Sequence, residues 1–401
     1  MDEKPENKAT AAAGNVEPLP AMTPEDAFVR QMFGQYYSQR ASQIVFPPAV
    51  ESREFGAGWR NKIDFRHKSF GGERDLTEFL VRAAPFYISY STARYSLPAA
   101  RPMEKKMFLG ADIAFDLDKP REVPEHEHNS VFCSICFGCT RADAVLFVEE
   151  FLFGDFGFSE KDVLLNFSGS KGFHFHIRSP AVEQLSSNGR KQLCDYAAAL
   201  NVSTDFLFEK KKFGTRKNDY ALAGPSLQDG GWKSRAYQEI STLLQSADEE
   251  ALKAEGLSSK KAKLLLEKKE VILQKIAVGD YGAPEGFEEF WRGVAQKAVA
   301  NSRVELDTPV TFDLARLIRL PQTLHGDSGL VAKIVSRKEL ESFDPLRDAV
   351  AFPKGAVGVT PLQDVELEYF GKQVLLKAGE RQPCPLGLAI MLLRKGKAKL
   401  G

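Results

Sequence analysis

Met107-Phe-Leu-Gly-Ala-Asp-Ile-Ala-Phe-Asp-Leu-Asp118 is an apolar run that closes on two carboxylates spaced two positions apart. On a β-strand, side chains two apart share a face. Asp116 and Asp118 then project together while Phe115 and Leu117 point into a core. Two carboxylates this close repel each other unless a cation lies between them. A divalent ion, which takes hard oxygen ligands, meets that need. The same short pattern also fits a solvated edge strand, so the rest of the chain has to decide between the two. Asp112 shares the face by parity but lies about 13 Å from Asp116, and reads as surface or supporting polarity rather than as a ligand.

Asn166-Phe-Ser-Gly-Ser-Lys-Gly-Phe-His-Phe-His-Ile177 reads as strand, tight turn and strand. Gly169 and Gly172 allow a sharp turn and close approach to a ligand. Ser168, Ser170, the exposed amides and Lys171 suit an anionic group such as a triphosphate. Phe173, Phe175 and Ile177 face inward, and His174 and His176 face the other side. Taken alone, this is also an ordinary hairpin with two surface histidines, and it lacks the G-x-x-x-x-G-K-[ST] spacing of a Walker loop.

Farther on, Glu305-Leu-Asp307 supplies a third carboxylate, followed by Arg316-Leu-Ile-Arg319 and His325. The spacing of Leu314, Leu317 and Ile318 predicts a helix ended by Pro321, with Arg316 and Arg319 on one neighbouring face. Guanidinium groups and a histidine here could grip phosphate oxygens, although a surface ion-pair helix has the same composition.

His126-Glu-His-Asn-Ser-Val-Phe-Cys-Ser-Ile-Cys-Phe-Gly-Cys139 has the density of a tetrahedral metal site. Cys133 and Cys136 are the firmest pair. His126, His128 and Cys139 offer one candidate too many for the remaining two positions. With enough ligands to close it, the site reads as structural zinc. Cys194 and Cys384 lack close partners and read as apolar filler.

The zero formal net charge speaks against a uniformly basic nucleic-acid binder, but it hides an asymmetry. Residues 1–27 carry six acidic side chains against Lys4 and Lys8, a balance of −4, so the remainder is +4. Residues 1–25 are expected to be a disordered acidic tail. A helix is predicted from Pro24, with Thr23 as its cap.

Strand patterns are predicted at 86–90, 107–117, 163–167 and 173–177, and a helix at 142–153 ending at Gly154. Helical spacing dominates 188–300, notably 249–253 and 259–276. Strand signals return at 309–312 and through 357–376, and 385–395 reads as an amphipathic closing helix. The organisation expected is a catalytic core over 26–187 and 301–401 with a helical subdomain at 188–300 between its parts. No apolar run reaches about 18 residues, and no signal-peptide layout opens the chain. A cytoplasmic, nucleoid-associated protein without a membrane span is expected.

Together these segments resemble the small catalytic subunit of archaeal and eukaryotic DNA primases. Phe115-Asp-Leu-Asp118 is similar to the family's catalytic aspartate pair, and Ser168-Gly-Ser-Lys-Gly-Phe-His174 to its nucleotide loop. Leu306-Asp307 followed by Arg316-Leu-Ile-Arg-Leu-Pro-Gln-Thr-Leu-His-Gly326 is similar to its third-aspartate and triphosphate segment. Arg53-Glu-Phe55, Arg66-His-Lys-Ser-Phe70 and Ala93-Arg-Tyr95 also match the archaeal branch. One departure is His126-Glu-His128, where a Cys-x-His pair is expected.

The resemblance implies a mixed α/β (α+β) primase core with a zinc knuckle and an inserted helical subdomain. It implies Asp116, Asp118 and Asp307 as ligands of two Mg²⁺ or Mn²⁺ ions. Ser168, Lys171, His174, Arg319 and His325 would bind the nucleotide's phosphates, with Arg316 and Asp313 as supporting ion-pair residues. Zn²⁺ would be held by His126, His128, Cys133 and Cys136, with Cys139 as the alternative ligand. The activity implied is primer synthesis during DNA replication on single-stranded DNA from NTPs or dNTPs, by a DNA-directed nucleotidyltransferase. The partner implied is a separate large subunit carrying an iron–sulfur domain, because only Cys194 and Cys384 remain after the knuckle. Alternatives are a primase-like polymerase of repair or plasmid replication and a non-catalytic DNA-binding relative. The latter has no reason to retain all three aspartates.

Overall fold

The computed structural model of the chain describes residues 22–212 and 220–401. The expected disordered tail falls outside the described residues as far as residue 21. The helix Pro24–Arg40 begins as its sequence requires: the Thr23 side chain accepts from the Asp26 amide, proline opens the first turn, and Glu25 and Asp26 face the positive helix end. Val29, Met32, Phe33, Tyr36 and Tyr37 recur at helical spacing, and all are buried.

Strands follow in chain order: β1 Arg53–Gly58, β2 Phe65–Lys68, β3 Tyr87–Tyr95, β4 Phe108–Ala111, β5 Ile113–Leu117, β6 Val163–Phe167 and β7 Phe173–Ile177. Next come β8 Glu209–Lys212, β9 Tyr220–Ala223 and β10 Leu317–Arg319, then β11 Ala356–Pro361, β12 Val365–Tyr369, β13 Lys372–Leu376, β14 Gln382–Pro385 and β15 Ala398–Leu400. Two antiparallel sheets position the site. One runs β10-β3-β1-β2, with β4 also on β3, and the other runs β5-β7-β6. Strands β10 and β4 share one edge of β3, pairing residues 89–91 and 93–95 of it. The mixed α/β class expected is the class observed.

The run 107–117 is not one strand. It leaves the first sheet at Ala111 and enters the second at Ile113, with Asp112 at the crossing. Backbone and ions both explain the break. Gly110 has φ +154°, and an added Cβ there would lie 2.7 Å from the Glu183 side chain. The fully buried Arg190 takes the carbonyls of Ala111 and Asp112 at 2.9 and 2.7 Å. Arg53 holds the Asp112 carboxylate at 2.8 Å. The parity that put Asp112 on the face of Asp116 is therefore void, and Asp112 is a tie between the two sheets.

Other expectations shift as well. The helix expected at 142–153 starts at Ser134 and continues as a π-helix, Phe147–Asp155. The stretch 259–276 breaks at Lys268 into Ser259–Glu267 and Lys269–Ala277. Residues 309–312 lie in the short helix Thr308–Phe312, with Asp307 at the N-cap and proline in the first turn, and are not a strand. Conversely, the helix expected around Leu314–Arg319 is the strand β10, because it completes the edge of β3. The closing helix Leu386–Arg394 is buried on every side from Gly387 to Leu393 rather than amphipathic. Helices do dominate the described residues of 188–300, with the antiparallel pair β8 and β9 among them. Cys194 and Cys384 are buried apolar filler. Among the described residues no helix is long and apolar enough to cross a membrane.

Candidate active site

Asp116 lies on β5 directly opposite His174 of β7, and Asp118 follows just beyond the strand end. Asp307 reaches them from the N-cap of its short helix: its amide donates to the Asp116 carbonyl at 2.8 Å. Thr311 of the same helix donates to the Ala114 carbonyl at 2.8 Å, fixing the helix against β5. The three aspartates named from the sequence therefore meet at one place.

Their environment favours a cation. Burial, and then the charges of Asp118 and Asp307, push Asp116 up to about 7. Its Oδ1 is buried with no hydrogen-bond partner. Lys171 lies 3.4 Å from Asp118, and Arg316 3.8 Å from Asp307 and 3.9 Å from Asp313. These cations offset part of the repulsion from the rim, and the buried oxygen still lacks a donor. Asp116, Asp118 and Asp307 thus fit hard divalent ions.

The loop between β6 and β7 is built by Ser168. Its amide donates to the Gly172 carbonyl at 2.8 Å, and its hydroxyl accepts from the amides of Ser170 and Gly172 at 3.3 and 3.2 Å. A Cβ on Gly172 would sit 2.1 Å from the Leu117 carbonyl oxygen, so glycine alone lets the loop lie against the Asp116–Asp118 segment. Gly169, at φ +86°, turns its back on His325, whose Cβ would be 2.7 Å from an added one.

His174, His325 and Arg319 line the adjoining wall, all buried. Burial first, and then the Arg319 charge, push His174 down to about 3 and hold His325 well below the ordinary imidazole range. His325 Nδ1 accepts from the Asp327 amide at 3.1 Å, which leaves Nε2 to carry the proton and donate. Arg319 faces the Tyr87 ring at 5.5 Å, and its Nη1 is buried without a partner. His174 Nδ1 is also unpartnered. Unsatisfied buried donors of this kind are costly unless an anion meets them.

His176, by contrast, belongs to the scaffold. It joins Tyr90 Oη and Asn166 Oδ1 at 3.0 Å each, bridging the two sheets. The two histidines share a face of the strand, but His176 is saturated.

A second cluster lies outside this pocket. His126, His128, Cys133 and Cys136 bring one ligand atom each within 4.8 Å of one another. His126 Nε2 is 3.0 Å from Cys133 Sγ and 3.4 Å from Cys136 Sγ, and His128 Nδ1 is 3.4 Å from Cys136 Sγ. Ligand atoms of a tetrahedral zinc would be spaced about 3.4–3.8 Å apart, so the set fits a soft tetrahedral ion. Burial alone would raise the Cys133 thiol, but the Cys136 amide and His126 outweigh it and bring Cys133 to about 6. Cys139, one helical turn on, stays outside the group. The helix Ser134–Leu146 carries Phe137 from the cluster onto Phe167 and Phe173 at 5.8 and 5.6 Å, the residues that flank the Ser168 loop.

Comparison with known proteins meets this geometry at the same residues. The family model described as DNA primase small subunit matches residues 115–337, which span all three aspartates, the loop, Arg319 and His325. The chain belongs to the DNA primase small-subunit family. Relatives named DNA primase small subunit PriS include those of Methanococcoides burtonii and Methanocella arvoryzae, each 31% identical, and that of Methanothrix thermoacetophila, 30% identical. Each alignment covers 93% of this chain and 98% of the relative.

Within this primase-family site, three residues escaped the sequence reading. Tyr87 supplies the ring beside Arg319 and hydrogen-bonds to the Asp327 carboxylate. Ser328 hydrogen-bonds to the Gly169 carbonyl and so joins the His325 segment to the loop. Only the polar run Gly326-Asp-Ser328 after His325 hinted at the last two. Nothing local to Tyr87 marks it, because its role depends on β10 pairing beside it.

Proposed function

We propose that this chain is the catalytic subunit of a primase, starting short RNA or DNA chains on single-stranded DNA during replication. Asp116, Asp118 and Asp307 would hold two Mg²⁺ or Mn²⁺ ions, and Ser168, Lys171, His174, Arg319 and His325 would hold the incoming nucleotide's phosphates. The observation that carries this reading is the meeting of two unfilled demands in one pocket. Asp116 Oδ1 is a buried acceptor and Arg319 Nη1 a buried donor, each without a hydrogen-bond partner. A metal-bound nucleoside triphosphate supplies both.

When bound, the ions lower the pKa of an attacking 3′-hydroxyl and stabilise charge developing at the α-phosphate. The chain's own residues do the rest. The three carboxylates set where the ions sit. The Ser168 loop, pressed against Leu117 by the absence of a Cβ at Gly172, holds Lys171 and the free loop amides toward the phosphates. His325, kept neutral by burial with its proton on Nε2, donates to a phosphate oxygen without adding charge, while Arg319 supplies fixed charge that needs no proton. His126, His128, Cys133 and Cys136 would hold Zn²⁺ as a structural ion that braces the loop through Phe137. A separate large subunit with an iron–sulfur domain is the partner that goes with this activity.

The test is primer formation on poly-dT with ATP and Mn²⁺, comparing the wild-type chain with the Asp116→Ala/Asp118→Ala double variant. Products from wild type alone are expected. Equal activity in both would remove the mechanism, and wild-type extension of a supplied primer without initiation would favour a repair-type or plasmid-type polymerase.

A further inference from the structure

The turn between β1 and β2 ends beside the triphosphate wall. Gly58, the last residue of β1, is paired with Tyr87, whose ring backs Arg319 at 5.5 Å and meets His325 edge-on at 5.8 Å. Gly326 closes onto the same ring, because a Cβ there would lie 2.4 Å from it. The order along this wall is therefore the turn, Tyr87, and then Arg319 with His325.

The turn is built to hold its shape. The Asp64 carboxylate accepts from the amides of Trp59, Arg60 and Asn61 at 2.7, 2.8 and 3.1 Å and from the Asn61 side chain at 2.8 Å. The Asp64 amide returns to the Ala57 carbonyl at 2.9 Å, and the Trp59 indole donates to the Ala83 carbonyl at 3.0 Å. A Cβ on Gly58 would sit 1.9 Å from the Asn61 carbonyl oxygen, so only glycine closes the turn. Within this frame Lys62 is exposed and makes neither a hydrogen bond nor an ion pair among the described residues.

The other cations of the site are differently placed. Lys171 rests on Asp118 and Arg316 on Asp307 and Asp313. Among the described residues neither Arg319 nor Lys62 is held by a carboxylate. The Lys62 main chain lies against Gly58, where an added Cβ would be 3.0 Å from the Lys62 carbonyl carbon, and Gly58 is the residue paired with Tyr87. Lys62 is thus one residue contact away from the strand that carries Tyr87, the ring beside Arg319 and His325.

We propose that Lys62 is a nucleotide-binding residue of this site, an outer cation that the β1–β2 turn holds ready for the distal phosphates of the incoming triphosphate. The buried Arg319 takes the inner side, and Lys62, on the solvent side of Tyr87, closes over the phosphates that extend outward. This rests on the nucleotidyl-transfer reading above and adds to it a residue from a sheet edge that the aspartate and loop motifs do not touch. An ammonium on a flexible stem suits the role, since it tolerates the changing position of a leaving group.

The test is equilibrium binding of ATP and ADP to the full chain with Mg²⁺, and separately of an oligo-dT strand, for wild type, Lys62→Ala and Lys62→Arg. Steady-state primer synthesis is measured in parallel. Lys62→Ala is expected to weaken ATP about tenfold and ADP clearly less. It should raise KM for ATP with kcat within about twofold, and Lys62→Arg should recover most of the loss. Oligo-dT binding should stay unchanged. Unaltered ATP affinity in Lys62→Ala overturns the proposal, as does loss of oligo-dT binding with ATP retained, which would make Lys62 a strand contact. If wild type binds ATP but forms no primer, the catalytic reading fails while the binding comparison still decides Lys62.

Discussion

The amide of Asp307 donates to the carbonyl of Asp116 across 2.8 Å, main chain to main chain. The third carboxylate is therefore placed by backbone, and its side chain is free of structural duty apart from Arg316 at 3.8 Å.

Asp307→Asn should accordingly leave the unfolding midpoint close to wild type and abolish primer synthesis. A fall of about 10³-fold or more is expected for a lost metal carboxylate. Denaturation curves and primer assays on the same preparation check both halves, and a variant that loses stability as much as activity would contradict the backbone placement.

Asp116 links the site to pH. Its folded-state pKa of about 7 lies above the ordinary carboxyl value of 3.8, so the folded chain binds the extra proton between those limits. Stability without divalent ions then declines as pH rises from about 4 to 7, and the cost is complete above 7, reaching at most about 4 kcal/mol. Asp116→Asn should raise Tm at pH 8 in a chelated buffer and have little effect near pH 4. Mn²⁺ should stabilise wild type far more than the variant. Thermal scans across pH would expose the opposite trend at once.

Gly172→Ala tests the seat of the loop. Its Cβ would meet the Leu117 carbonyl oxygen at 2.1 Å, where nothing flexible can yield. A loss of about 2–4 kcal/mol and of nucleotide binding is expected. Gly138→Ala, in the helix after the cluster with nothing near its new Cβ, should be neutral or slightly stabilising by urea denaturation.

The four-ligand cluster makes a stoichiometric claim. Wild type and Cys139→Ser should each carry one tightly held soft metal per chain by atomic emission, and Cys136→Ser should carry less than half of one. Chelation should also lower Tm, because Phe137 packs from the cluster helix onto β6 and β7. Loss of metal in Cys139→Ser would move the ligand assignment.

Much of the site was legible because its chemistry sits in short runs. Asp116 and Asp118, the Ser168–His174 turn and the Cys133/Cys136 pair each combine residue type with local spacing. The errors came where tertiary pairing overrode local pattern. Residues 317–319 have helical spacing, yet the open edge of β3 makes them a strand and buries Arg319. Residues 107–117 alternate like one strand, yet Arg53 and Arg190 pull the chain into a second sheet at Asp112. Tyr87, and Lys62 in the role proposed for it, were invisible because both depend on neighbours supplied by distant segments.

The crossing at Asp112 has a consequence for synthesis of the chain itself. The first sheet is finished only when β10 arrives, after the entire second sheet has already been made. A chain still emerging from a ribosome thus displays Asp116 and Asp118 long before Asp307, Arg319 and His325 exist to join them. Long-range closure of this kind is slow compared with hairpin or helix formation. On the site assignment proposed above, fragments that end before His325 are expected to be inactive.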